Sequence, residues 1–164
     1  MKGVIIYKSA YGATQQYANW LHDKSQMPVF NVKENPGSLE EYDLVVVGSS
    51  VRAGRLQMGG WIRKNWAQLQ NKIVILMLVN ITADPDLRAK IVPQSLPAEI
   101  AEHMKVFPVG GRYILEQMSG FEKTVVKMVA SLTKDPKAKE ELLTNKDLVT
   151  EDQLEPLMNY INSL

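Results

Sequence analysis

Three apolar runs punctuate the first half of the chain: GVIIY (3–7), DLVVVGSS (43–50) and KIVILMLVN (72–80). Each is rich in Val and Ile, continuous rather than alternating, and followed by small or polar residues. Strands buried on both faces have this signature, as in a parallel sheet covered by helices on either side. Weaker runs at PVFNV (28–32) and KVFPVGG (105–111) add two more strands. Pro108 assigns the second of these to an edge, because proline cannot donate to a central ladder.

Helical spacing fills the gaps. Residues 13–24 hold Tyr17, Trp20 and Leu21; residues 58–70 hold Met58, Trp61, Ile62, Trp66 and Leu69 at intervals of three and four. Residues 85–104 read as one helix or two short ones, since Pro93 and Pro97 interrupt the pattern. The last segment, 152–164, sets Leu154, Leu157, Ile161 and Leu164 on one face, with Pro156 near its start. Strands alternating with helices predict an α/β fold, a doubly wound five-stranded parallel sheet in one domain spanning 1–164.

Residues 111–149 are too long for a simple loop and predict an insertion between the fifth strand and the last helix. Within it Ile114, Met118, Phe121, Val125, Met128 and Leu132 recur at helical spacing. They predict an amphipathic helix over 113–132 whose stripe packs on the domain. The alternative is a helix that borders a bound ligand and makes a partner, substrate or membrane-surface contact through 112–132, with Arg112, Lys123 and Lys127 supplying charge. KDPKAKEELLTNKD, which follows, reads as a polar loop.

Composition narrows the chemistry. At 164 residues the chain fits one domain. Net charge is +1, which gives no footing for a nucleic-acid partner, although residues 112–139 are basic and 140–164 acidic. There is no cysteine, so thiolate catalysis, disulfides and Cys-ligated metals are excluded. His22 and His103 stand far apart and no metal-ligand spacing occurs, so no metal is expected. The N-terminal apolar run is too short for a signal peptide and no run has the length of a membrane helix. The chain reads as cytoplasmic, with membrane association only through 112–132.

In open parallel sheets ligands sit outside the carboxyl ends of the strands. The first loop there is SAYGAT (9–14). Ser9 and Thr14 carry hydroxyls, Gly12 permits a tight turn, and the helix starting near Ala13 points free N–H groups into the loop, an anion site. The same residues also fit a plain strand–helix turn capped by Thr14. Neither GxGxxG nor GxxxxGK[ST] is present, which excludes the Rossmann and P-loop fingerprints. GSSVRAGRL (48–56) brings small residues plus Arg52 and Arg55, suited to a phosphate, a carboxylate or the electron-rich edge of a flat ring, or simply solvated. VNITADP (79–85) offers Asn80, and Asp84–Pro85 reads as a helix cap followed by proline in the first turn. VGGRY (109–113) has two glycines suited to close backbone approach.

Together these loops resemble the flavodoxin family. SAYGAT is similar to that family's FMN-phosphate loop, roughly Ser/Thr-x-Thr-Gly-x-Thr: Ser9, Gly12 and Thr14 match, while Ala10 and Tyr11 depart and remove hydroxyls. VVVGSSVRAG (45–54), LVN (78–80) and GGRY (110–113) followed by an amphipathic insertion resemble the menaquinone-dependent protoporphyrinogen oxidase type within the superfamily. The resemblance implies FMN as cofactor, held by Ser9, Ala10, Tyr11, Gly12, Ala13 and Thr14, by Ser49, Ser50, Val51, Arg52, Ala53 and Gly54, and by Asn80, Ile81, Thr82 and Ala83. It further implies an oxidoreductase passing electrons between a small organic substrate, or a redox partner protein, and a quinone or other acceptor. Two departures set the chain apart from electron-carrier flavodoxins: the second and third loops carry no aromatic residue, and the pI of 7.9 is not acidic. A carrier without its own substrate, or a flavin-free interaction module, are the alternatives.

Overall fold

In a computed structural model, residues 1–34 and 36–164 are described. Five parallel strands form the sheet: β1 (Gly3–Lys8), β2 (Val29–Asn31), β3 (Leu44–Arg52), β5 (Ile73–Asn80) and β6 (Lys105–Gly110), in the order β2-β1-β3-β5-β6. A short antiparallel strand, β4 (Arg55–Leu56), folds back on the end of β3. The helices are α1 (Ala13–Ser25), α2 (Gly59–Leu69), α3 (Pro85–Ser95), α4 (Ala98–His103), α5 (Gly120–Leu132), α6 (Pro136–Leu142) and α7 (Glu155–Ser163).

The continuous apolar runs are explained by two cores, one on each face. Val4, Ile6, Val45, Val47, Leu76 and Leu78 point to one side and pack with Met58, Ile62 and Leu69 of the α2 region, Ile91 of α3 and Ile100 of α4. Ile5, Val46, Ile75 and Met77 point to the other and pack with Tyr17 and Leu21 of α1 and Leu157 of α7. Successive strand residues alternate between faces, so a strand covered on both sides needs apolar residues at every position. Pro108 lies in the edge strand β6, as its missing donor requires. The 85–104 segment is two helices; Pro93 is accommodated inside α3, and the break comes at Leu96–Pro97.

The insertion differs from its sequence reading. The predicted helix over 113–132 is shorter: Arg112–Tyr113 form strand β7, Leu115–Gln117 a 3₁₀ turn, and α5 starts at Gly120. Ser119 sets that start with a capping box, accepting from the Glu122 N–H while the Glu122 carboxylate accepts from its own N–H. The stretch read as a polar loop contains α6 and β8 (Lys146–Asp147), which pairs antiparallel with β7. Asp135–Pro136 is the same cap-and-proline start that Asp84–Pro85 makes at α3; both aspartates accept from N–H groups of the first turn. At the chain end Leu154 and Leu157 are fully buried, but Leu164, just past α7, is exposed.

The return of the insertion is locked onto β6. Leu148 N–H donates to the Gly111 carbonyl at 3.0 Å. Gln153 Oε1 accepts from Gly110 N–H, and its Nε2 donates to the Leu148 carbonyl and to Thr150 Oγ1. The strap passes so near Gly110 that a Cβ there would overlap the Leu148 carbonyl.

Candidate functional site

The loops after β1, β3 and β5 converge with the insertion around a cleft of about 770 Å³. The sheet's winding reverses at β1 and β3, the position where doubly wound sheets leave a crevice.

The floor of one end is the 9–14 loop. Gly12 is the N-cap of α1 at φ 82°, a left-handed conformation that favours glycine, and no side chain caps the helix. The capping role read for Thr14 is therefore not taken up. Instead, Thr14 Oγ1 is buried without a hydrogen-bond partner, and so is Ser9 Oγ. Buried hydroxyls seldom go unpaired. Here both stand at a helix N-terminus whose first-turn amides also lack intrahelical acceptors, so the loop fits an anion bearing several acceptor oxygens.

The second wall is the β3–β4 hairpin. Ala53 (φ 49°) and Gly54 (φ 72°) are both left-handed, the backbone of a two-residue turn matched to strand twist. Ser50, Val51, Arg52, Ala53 and Gly54 line the cleft. Ser49 does not: its Oγ donates to the Ser50 carbonyl and accepts from Met58 N–H, bracing the hairpin from inside. Asn80, Ile81 and Thr82 form the third wall, while Ala83 lies exposed outside it. Asn80 Nδ2 donates to the Leu78 carbonyl at 3.4 Å, leaving buried Oδ1 unpartnered and free to accept. Ser9, Ala10, Tyr11, Ala13 and Thr14 line the first wall, with Gly12 shaping the turn beneath.

Arg52 is at the cleft, but its charge is engaged. Its Nε lies 2.7 Å from Glu122 Oε1, an ion pair that joins the hairpin to α5. The Ser119 backbone and then Arg52 hold Glu122 below the usual carboxylate range. Arg55 points away and donates to the Gln94 carbonyl. Arg112, expected to offer surface charge, is instead enclosed: it contacts Asp147, Gln16 and the Tyr11 carbonyl. The two glycines at the end of β6 serve the chain's own packing, Gly110 against Leu148 and Gly111 against the Asn80 backbone.

The sequence reading named Tyr11 at the site but did not assign the other aromatic and apolar residues of the cleft. Tyr11 comes from the first loop, Tyr113 and Phe121 from the insertion, and Met118, Val126 and Ile91 complete the apolar walls. Burial, with the Glu122 anion second, pushes the Tyr11 phenol above its ordinary value, against the opposing pull of Arg52. Tyr113 is raised by burial and then by Tyr11. Both phenols are neutral at pH 7 and able to donate. For Met118 and Phe121 the signal was present in the helical spacing of the insertion, but nothing local ties that segment to the sheet's carboxyl edge.

Residues 4–140 match the family model described as a flavodoxin domain. No curated protein matches the chain. Among solved structures, a WrbA-like flavodoxin from Agrobacterium tumefaciens is 14% identical with a TM-score of 0.50, the alignment covering 74% of this chain and 87% of that one. A flavoprotein from Lactobacillus acidophilus NCFM, solved in complex with FMN, is also 14% identical at a TM-score of 0.50, covering 67% and 92%. These structural likenesses speak to the fold. The family model spans most of the sequence, and the chain belongs to the flavodoxin domain family.

Proposed function

We propose that the cleft holds FMN and that the chain is an oxidoreductase passing electrons between an organic substrate and a quinone or other acceptor, of the menaquinone-dependent protoporphyrinogen oxidase type. The observation that carries the cofactor is the pair of buried, unpartnered hydroxyls, Ser9 Oγ and Thr14 Oγ1, at the uncapped start of α1. A phosphate there would supply the missing acceptors, and one such loop without a dinucleotide fingerprint favours a mononucleotide. Residues 50–54 and 80–82 would border the ring, with Asn80 Oδ1 as an acceptor for a ring N–H. When bound, the flavin supplies the redox chemistry.

The chain's own residues support a substrate beside the cofactor. Tyr11, Tyr113 and Phe121 give aromatic walls, and Met118, Val126, Leu87 and Ile91 extend the apolar surface beyond the three loops. Tyr11, a lining residue of the cleft, keeps its phenol proton at neutral pH. Arg112 fixes the first loop by its hold on the Tyr11 carbonyl.

Titration of the flavin-free protein with FMN and with riboflavin tests the cofactor. FMN is expected to bind more tightly, by the contribution of charge-assisted hydrogen bonds, about 1.5–3 kcal/mol each. Equal affinity for the two would sink the phosphate assignment. Anaerobic transfer of electrons from a reduced organic donor to a soluble quinone, with the FMN-loaded chain as catalyst, tests the oxidoreductase; flavin reduction without turnover would leave a carrier.

A further inference from the structure

The apolar stripe of α5, expected to pack on the domain, is turned outward. Phe121 (79% exposed), Val125, Met128, Val129 and Leu132 (76% exposed) all stand in solvent, and Ala130 is the helix's sole buried residue. At 3.6 residues per turn the five fall within an arc of about 100°, a single apolar face. The helix is not a loose end. The Ser119–Glu122 capping box fixes its first turn, and Arg52 ties that turn to the β3–β4 hairpin. It is held in place with its apolar side uncovered.

The charge around this face is mostly positive. Lys127 is on α5, Lys134 follows its last turn, and Lys137 and Lys139 are on α6, which packs against α5. All four are exposed, and none forms an ion pair among the described residues. Of the nearby acids, Glu122 holds Arg52, Asp135 caps α6 and Glu141 pairs with Lys146, which leaves the exposed Glu140 of α6 against the four lysines.

We propose that this face of α5 docks on an anionic bilayer surface, with the lysines of 127–139 toward the lipid head groups. An amphipathic helix with Phe, Met and Leu on one side and lysines on the other lies in the interface plane and binds by apolar burial plus attraction to anionic lipid. A second copy of the chain is a poorer occupant, since a two-fold contact through α5 would bring the two lysine groups together. A protein partner is poorer too: a standard interface takes about 20–30 residues a side, and this strip is five side chains wide on one helix. Among the described residues no helix is long and apolar enough to cross a membrane, so the contact is peripheral. Phe121 and Val125 belong both to the exposed face and to the cleft wall, so docking turns the cleft mouth toward the lipid.

The test is co-sedimentation of the flavin-free chain with phosphatidylglycerol-containing vesicles and with pure phosphatidylcholine vesicles, at low and high salt. Two variants accompany it: Met128→Glu with Leu132→Glu, and Lys127→Gln with Lys137→Gln. None of these four residues lines the cleft. Circular dichroism and thermal melting check that each variant is folded. The intact chain is expected to sediment with the anionic vesicles, less so at high salt, and each double variant to bind about tenfold or more weakly. The proposal is overturned by absence of binding to anionic vesicles, by binding that the Met128/Leu132 variant leaves unchanged, or by self-association of the intact chain that this variant abolishes. The experiment uses no flavin, so its failure is separate from a failure of the cofactor reading.

Discussion

The guanidinium of Arg112 donates to the Tyr11 carbonyl at 3.3 Å, joining the first loop to a residue 101 positions away. Its remaining nitrogens hold Gln16 Oε1 at 2.8 Å and Asp147 Oδ2 at 2.9 Å. One side chain thus fixes the anion loop, the first turns of α1 and the strap that closes the insertion. With that side chain only 19% exposed, its loss leaves partners half-desolvated. Arg112→Ala is expected to cost about 1.5–3 kcal/mol of stability and to weaken FMN binding, read by urea denaturation and flavin titration. Arg112→Lys, with one point charge in place of a fork, recovers only part of either.

Thr14 sets stability against binding. Its hydroxyl is buried and unpaired in the ligand-free protein, a cost of about 1–3 kcal/mol. Thr14→Val keeps the shape and removes the hydroxyl. The ligand-free variant is expected to melt higher than the parent while binding FMN more weakly. A variant that melts lower and binds FMN as before would show that Thr14 has a partner inside the protein.

Gly110 and Gly60 make a matched pair. A Cβ on Gly110 would run into the Leu148 carbonyl, whereas Gly60 in α2 has nothing within 4 Å. Gly110→Ala is expected to destabilise by about 1–3 kcal/mol as the strap is pushed off β6. Gly60→Ala is expected to stabilise by about 0.5–1 kcal/mol through helix propensity. Thermal denaturation of both against the parent checks the sign of each.

Ala53 sits in the left-handed region without being glycine. That conformation costs an L-residue roughly 1–2 kcal/mol, of which glycine's extra chain entropy returns a part. Ala53→Gly is therefore expected to raise stability by up to about 1 kcal/mol without adding a side chain to the cleft, as measured by chemical denaturation.

The Arg52–Glu122 pair carries a pH signature. Glu122 is held below its ordinary value, so its native state binds the proton less readily than the unfolded chain does. Its contribution is present above the ordinary glutamate value and is lost as pH falls through the lowered native one. Arg52 is 58% exposed, so the coupling is expected at only about 0.2–1 kcal/mol. A double-mutant cycle with Arg52→Gln and Glu122→Gln is expected to give that coupling at pH 7 and less at pH 3.5.

Periodicity alone carried the sheet and most of the helices. Val45, Val46 and Val47 must be apolar in succession because helices cover both faces, and that requirement is written in consecutive residues. The Asp84–Pro85 helix start and the turn at Gly12 are equally local, since each depends on one residue's own dihedral or side-chain reach. The anion loop could be located by its residue types. Whether Thr14 caps the helix or is left unpaired, and whether Ser49 or Ser50 faces the cleft, depended on atoms brought in by other elements, such as Met58 N–H on Ser49. The insertion shows the division most clearly. Its helical spacing is evident in the sequence, but a stripe looks the same whether a neighbour covers it or not. Its outward face, the Arg52–Glu122 tie and the Gly110–Leu148 contact join residues 38 to 70 positions apart, and such contacts are fixed by packing rather than by any local preference.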